Sequence, residues 1–397
     1  MSAWKKFPVE LSELCIDTVL RCGQSFRWKK TGETWSCALK GRVLLLQQEP
    51  DHLRYREIFP EAPVEAQGSG TSTIDLLNDY FNLSTDLKSL YKQWSDRDPH
   101  FSKKAITFTG IRMLRQDPWE NLISFICSSN NNISRIGQMV GNLCIHYGPR
   151  IAEVDGTVYH DFPAPEKLAV KGVEETLRKL GFGYRAKYIA QTANMVVNEL
   201  PEGWLMGLRE KPYREAHDAL LQLSGVGPKV ADCICLMSLD KTEAVPVDTH
   251  VMQIATRDYK FNKIKSKSMT KALYDAVGDH FRELWGPGAG WAHSVLFTAD
   301  LKSFADKEVG VVSKTTKKSK STTVKKEVVE GESVIKAEEV TVKREANLNS
   351  SVKDEIKEDP WSDDQSSSSR KRKIETATVD ALETTVVRRR LRSGRER

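Results

Sequence analysis

The hydrophobic pattern changes twice along these 397 residues. Up to about residue 104 it consists of short apolar runs, among them Thr34-Trp35-Ser36-Cys37-Ala38-Leu39, Val43-Leu44-Leu45-Leu46 and Leu53-Arg54-Tyr55. Turn residues such as Thr31-Gly32-Glu33 separate them, and runs of this length between turn signals predict strands of an antiparallel sheet. Ser25-Phe26-Arg27-Trp28 reads as the strand before the first turn. From Leu76 to about Leu301 the apolar positions return at helical spacing. Gly110, Gly181-Phe182-Gly183, Pro201 and residues 286–290 interrupt them. Beyond Ala305 the rhythm stops. The expectation is an α+β protein: an N-terminal antiparallel β-sheet domain over 1–104, an all-α domain over 105–305, and a disordered charged tail over 306–397.

The chain is organised around residues 220–250. Over 214–223, Ala216, Ala219, Leu220 and Leu223 share a helix face, and 230–239 are apolar enough to be buried. Between them, Gly225 and Gly227 permit the positive φ angles of a sharp turn. Pro228 suits the first position of the second helix, where its missing N–H costs nothing. Such a turn is either an ordinary helix connection or a phosphate site without base preference, built from backbone N–H groups at a positive dipole end. Lys229 lies in the first turn, with Cys233 and Met237 at i+4 and i+8. The dipole and desolvation both favour its neutral amine, a nucleophile able to form a Schiff base. A phosphate-contacting lysine is the other reading of this position. Asp248 ends the apolar Pro246-Val247 segment, placed to cap a helix over 249–256 or to stabilise positive charge beside the lysine.

Gly225-Val226-Gly227-Pro228-Lys229-Val230-Ala231-Asp232, followed by Val245-Pro246-Val247-Asp248-Thr249-His250, resembles the helix-hairpin-helix, endonuclease III superfamily of DNA glycosylases. Residues 233–248 resemble its eukaryotic 8-oxoguanine DNA glycosylase/AP lyases in particular, and the likeness spans roughly 4–301. It implies a TBP-like N-terminal domain, then a helix-hairpin-helix glycosylase domain in which Lys229 attacks the anomeric carbon and Asp248 assists. It gives Gly23, within Arg21-Cys22-Gly23-Gln24-Ser25-Phe26-Arg27-Trp28, a carbonyl that accepts N7–H of the oxidised base; unmodified guanine has only an acceptor there. Cys233 and Phe297 would sandwich the flipped base, with Met237 and His293 completing the pocket. Asn130, in a polar run from Ser128 to Asn132, would fill the gap left by the flipped nucleotide. Arg135 and Arg185 would contact the unpaired cytosine and Tyr184 would act as a wedge, with Gly225, Gly227 and His250 among the DNA contacts. Surface charge or packing explains any one of these positions equally well; together, at family spacing, they favour DNA.

Position 293 departs from the family's usual glutamine. His293 and Phe297 share a helix face at i and i+4, which also describes a packed aromatic beside a satisfied core histidine. As a base reader, neutral histidine keeps one acceptor but loses the amide's paired donor and acceptor. Histidine titrates near ~6.5, so base recognition is expected to weaken as pH falls through that value.

Charge alters the picture only when divided. The last 92 residues hold 22 Lys and Arg against 18 Asp and Glu; the preceding 305 hold 38 against 36. The body is nearly neutral, so DNA affinity must come from local basic surface and backbone donors. The tail's only aromatic residue is Trp361, and such a composition cannot bury a core. Arg370-Lys371-Arg372-Lys373 and Arg388-Arg389-Arg390-Leu391-Arg392 resemble nuclear localisation signals, with non-specific DNA contact as the alternative. Seven cysteines, none in a CxxC, fit a reducing compartment. None follows Cys235, which rules out the four-cysteine iron–sulfur cluster that some superfamily relatives carry after the hairpin. No zinc pattern, membrane-length apolar run or secretory signal is present.

The expected function is a bifunctional glycosylase/AP lyase without metal or other cofactor. It would act as a monomer on damaged double-stranded DNA, excising 8-oxoguanine and formamidopyrimidines opposite cytosine. The expected address is the nucleus, through an import receptor bound to the tail, with a mitochondrial pool left open. A related enzyme for other oxidised bases and a non-enzymatic DNA clamp are the alternatives.

Overall fold

A computed structural model describes residues 3–61, 70–262 and 268–305. Five antiparallel strands, β1 (Lys5–Pro8), β2 (Lys29–Thr31), β3 (Thr34–Leu39), β4 (Arg42–Gln48) and β5 (His52–Ile58), form a sheet in the order β1-β5-β4-β3-β2. The two-residue turn between β3 and β4 is Lys40-Gly41, with φ of 49° and 77°. Positive φ at both positions matches the right-handed twist of the flanking strands. The first hairpin strand begins at Lys29, so the strand expected over 25–28 is absent. Those side chains find partners outside the sheet instead: Trp28 Nε1 donates to the Tyr80 hydroxyl at 2.9 Å, and Arg27 reaches two carboxylates described below.

Burial is nearly continuous along β3 and β4 rather than alternating, because both sheet faces are covered. One face packs on Leu14, Ile16, Val19, Leu76, Leu77 and Phe81. The other, through Ala38, Val43 and Leu45, meets Ile151 and Val154 of a second hairpin, β6 (Arg150–Val154) and β7 (Thr157–His160). This hairpin interrupts the stretch expected to be helical throughout. Asp155-Gly156, with φ of 49° and 75°, makes its turn and is a hairpin signal the periodicity conceals.

The remaining described elements are helical; Ile16–Val19 and Thr73–Tyr80 pack on the sheet, and those from Leu87 onward share one large core. Helix Pro118–Ile126 sits at its centre, buried along its whole length. Asp117 caps it by accepting from the Trp119 and Glu120 backbone, with Pro118 at the first position. A buried strut ties this helix to the segment following Gly23. Arg27 Nε and Nη2 each lie 2.8 Å from Glu120, and Nη2 lies 3.1 Å from Asp161, just after β7. Among the described residues no helix is long and apolar enough to cross a membrane. The basic clusters at 370–373 and 388–392 lie outside the described residues.

Candidate active site

The hairpin forms as its sequence demands, from helices Tyr213–Leu220 and Pro228–Ser238. Gly225 takes φ +77°, and a Cβ there would stand 2.8 Å from the Tyr188 side chain, so both conformation and space require glycine. Gly227 differs from expectation: its φ of −96° is extended, because it serves as N-cap of the second helix, before Pro228.

Lys229 is the second residue of that helix, half-buried, its ammonium position 5.2 Å from the centre of the Phe125 ring. A pocket opens beside it. Lys229, Cys233 and Met237 line it from the lysine helix, Asp248 from the next segment, and Gly23 from the N-terminal part of the chain. His293 and Phe297 close it from helix Ala289–Asp300, with ring centres 6.1 Å apart. Helix 289–300 gets this close through Gly290, whose N–H bonds the Thr242 carbonyl at 2.9 Å; a Cβ there would come within 2.2 Å of the Ala244 carbonyl. The seven residues assigned to chemistry and base binding thus meet in one cavity, from three distant parts of the chain.

Asp248 does double duty. Its carboxylate accepts from Val251 N at 2.9 Å, capping helix Thr249–Tyr259, and it also faces the cavity. Its segment is fixed to the lysine helix by a buried network absent from the sequence reading. Asp232, three residues after Lys229 and 1% exposed, accepts from the Tyr213 hydroxyl at 2.6 Å and the Tyr274 hydroxyl at 2.5 Å. Tyr274 in turn accepts from Val247 N at 3.3 Å. Asp232 shows no sequence signal beyond its place in the hairpin motif, since its partners lie 19 and 42 residues away.

The Gly23 turn is held similarly. Gln24 Nε2 donates to the Arg112 carbonyl at 3.1 Å, Leu114 N donates to Gln24 Oε1 at 3.0 Å, and Gln116 Nε2 donates to the Gln24 carbonyl at 2.9 Å. Cys22 and Phe125 also line the cavity and were not singled out from sequence, being indistinguishable there from ordinary core residues.

Burial sets the charge states. It pushes the Cys233 thiol up to about 11, against the pull of Lys229, so the thiol stays protonated. Burial also holds His293 down at about 4; Asp248 and the Gly290 backbone oppose this, and Lys229 reinforces it. The titration expected near neutrality is therefore displaced into acid, and His293 is neutral across the working range. Neither of its ring nitrogens closes a hydrogen bond, so it is not a satisfied core histidine.

Four of the expected DNA contacts, Asn130, Arg135, Tyr184 and Arg185, form a second cluster. Asn130 is exposed at a left-handed φ of 43°. Arg185 is buried, not projecting: its guanidinium donates to the Ser129 and Asn130 carbonyls, and lies 4.6 Å from the centre of the Tyr184 ring. Tyr184 is exposed, and its hydroxyl reaches the Ser129 carbonyl at 3.2 Å. Arg135 is exposed and touches the Gly181 carbonyl at 3.3 Å. His250 lies outside the cavity, with its ring 6.0 Å from that of Phe297 and Nδ1 3.7 Å from Asp300.

Comparison with known proteins gives two family matches. Residues 6–122 match the 8-oxoguanine DNA glycosylase N-terminal domain, and residues 123–278 match the HhH-GPD superfamily of base excision DNA repair proteins. The N-glycosylase/DNA lyase of Saccharomyces cerevisiae is 40% identical over 329 residues, covering 75% of this chain and 86% of that one. The N-glycosylase/DNA lyase OGG1 of Arabidopsis thaliana is 41% identical over 304 residues, covering 75% and 80%. A crystal structure of Clostridium acetobutylicum 8-oxoguanine glycosylase/lyase with double-stranded DNA containing cytosine opposite 8-oxoguanine superimposes with a TM-score of 0.64 at 30% identity, covering 78% of this chain and 98% of that one.

Proposed function

The chain belongs to the 8-oxoguanine DNA glycosylase family of the HhH-GPD superfamily, and from that premise we propose that Lys229 and Asp248 carry its chemistry. It is a bifunctional N-glycosylase/DNA lyase of base excision repair acting on 8-oxoguanine in duplex DNA. The target nucleotide leaves the stack and enters the cavity. Lys229, as the free amine, attacks C1′; the N-glycosidic bond breaks and its electron pair departs with the base. The Asp248 carboxylate stabilises the positive charge developing on the sugar. Loss of the amine protons and ring opening give a Schiff base, and removal of a C2′ proton then expels the 3′ phosphate. The observation that carries this assignment is the convergence of Lys229 and Asp248, from separate elements, on a cavity walled by Gly23, Cys233, Met237, His293 and Phe297.

On the DNA side, Asn130 fills the vacated stack, Tyr184 wedges, and Arg135 faces the unpaired base. Arg185 acts at that base by holding the Asn130 loop. The Gly225–Gly227 turn takes a phosphate on its backbone N–H groups, and His250 flanks it. The enzyme works as a monomer and prefers cytosine opposite the lesion. Borohydride trapping on duplexes carrying 8-oxoguanine or a formamidopyrimidine opposite each of the four bases tests these points. Absence of a trapped complex on 8-oxoguanine opposite cytosine overturns the lysine assignment.

The basic clusters of the tail direct nuclear import through a receptor and are dispensable for chemistry. Their composition supports this, together with the fact that every proposed site residue precedes residue 306. A chain ending at Ala305 is expected to keep activity in vitro, while a fluorescent fusion loses nuclear enrichment. Unchanged enrichment refutes the address.

A further inference from the structure

We propose that helix Arg185–Asn194 is a strut fixing the span between the Asn130 loop and the Gly225 hairpin turn, with Tyr188 and Thr192 as its positioning residues. The inference rests on the DNA-side roles given above to that loop and that turn. Tyr184, at the helix N-cap, Tyr188 and Thr192 recur every four positions and so share one helix face. Each reaches out of the helix. At the N-terminal end, the Tyr184 hydroxyl donates to the Ser129 carbonyl, and Arg185 beside it holds the Ser129 and Asn130 carbonyls. One turn on, Tyr188 lies against the hairpin: its Cβ, Cγ and Cδ2 are each 2.8 Å from where a Cβ on Gly225 would stand. Its ring also meets the Tyr184 ring edge-on, with centres 5.9 Å apart. A further turn on, Thr192 Oγ1 donates to the Ser224 carbonyl at 2.9 Å.

Two observations set these contacts apart from ordinary packing. A hydroxyl inside a helix commonly bonds the carbonyl four residues back, as Ser238, Thr256 and Thr298 do here. Thr192, fully buried, instead turns its hydroxyl to the hairpin. The helix is also anchored independently of both contacts, because Ala186, Ile189 and Ala193 are fully buried in the large core. At 1.5 Å per residue, Tyr184 and Thr192 stand about 12 Å apart along the axis, a span that the anchored helix holds constant. Extruding a nucleotide requires its phosphate to be gripped while the vacated stack is filled. Loop and turn can each touch DNA alone, but only a fixed span lets both act on the same nucleotide.

The test compares two single-turnover reactions of the full chain at saturating enzyme. Release of 8-oxoguanine opposite cytosine needs a base extruded; cleavage at a preformed abasic site opposite cytosine does not. A 2-aminopurine beside the lesion reports unstacking by its fluorescence. Tyr188→Leu should slow unstacking and base release by about tenfold to 100-fold, the scale of a small misplacement. Thr192→Val should slow both by about tenfold, the scale of one hydrogen bond. Abasic-site cleavage and the half-saturating enzyme concentration should not change. Tyr188→Phe keeps the ring carbons that touch Gly225 and Thr192→Ser keeps the hydroxyl, so both should match wild type. Equal slowing of the two reactions overturns the proposal, since the contacts then support Lys229 or the fold in general. Wild-type unstacking in both Tyr188→Leu and Thr192→Val overturns it as well, and leaves the roles of loop and turn intact. Base release by the wild-type chain with no unstacking signal condemns those roles themselves. If Tyr188→Leu does not fold, Thr192→Val, of nearly the same shape as the native residue, decides.

Discussion

The cavity wall and the Asn130 loop are built on opposite plans. In the wall, buried side chains bond to one another: Asp232 to Tyr213 and Tyr274, and Tyr274 onward to the backbone before Asp248. Lys229 and Asp248 inherit their spacing from a network that does not itself line the cavity. In the loop, the protein holds the backbone and leaves side chains outside. Arg185 and Tyr184 take the Ser129 and Asn130 carbonyls, and the Asn130 side chain stays exposed. The difference fits the roles proposed for the two regions. Bond-breaking needs reacting groups held in one geometry, whereas a group that enters a duplex must be free until DNA arrives.

The sharpest break in the comparison is Lys229→Gln. It removes the proposed nucleophile and preserves side-chain length, so base release and borohydride trapping should fall by on the order of 10³-fold or more. Binding to lesion-containing duplex, measured by fluorescence anisotropy, should survive. Strand cleavage by the purified variant would falsify the assignment.

Next comes the cost of a neutral buried histidine. His293 sits at about 4 in the folded protein, against ~6.5 in an unfolded chain. Between those values the unfolded state binds more protons, so stability falls as pH drops through this window, by up to about 3 kcal/mol at its lower end. Urea unfolding of wild type and His293→Gln from pH 7 to pH 4 checks it: the variant should lose part of the acid slope. Parallel slopes would show that the ring protonates freely.

Arg185→Met tests the loop. The Ser129 and Asn130 carbonyls lose a charged donor, a change worth about 1.5–3 kcal/mol. Because Asn130 is positioned through that backbone, the loss should appear as weaker lesion binding, with little change in single-turnover excision at saturating enzyme. If excision falls and binding does not, the loop belongs to the catalytic wall after all.

The smallest effect, and the one that tests the wall, is expected for Tyr274→Phe. Removing one hydroxyl frees Val247 N and one oxygen of Asp232, which should slow excision by about tenfold or less. DNA affinity should be unchanged. Equal losses in excision and affinity would mean that Tyr274 supports the fold in general rather than the spacing of Lys229 and Asp248.

Local physics was legible in the chain. The cap and first-turn proline at Asp117-Pro118, the Gly225 turn, the capping role of Asp248 and the shared face of His293 and Phe297 all depend on residues within a few positions of each other. The β6–β7 hairpin was legible in Asp155-Gly156 and hidden by the helical pattern around it. What only the tertiary structure decided depends on partners far apart in sequence. Arg27 leaves its expected strand because Glu120 and Asp161, 93 and 134 residues on, are buried beside it. Arg185 turns inward to carbonyls 55 and 56 residues earlier. His293 is neutral because the packing around it excludes water, and neither ring nitrogen finds a hydrogen-bond partner there. Residue type sets which interactions a side chain can form, but burial and the arrival of distant chain segments determine which of them it makes.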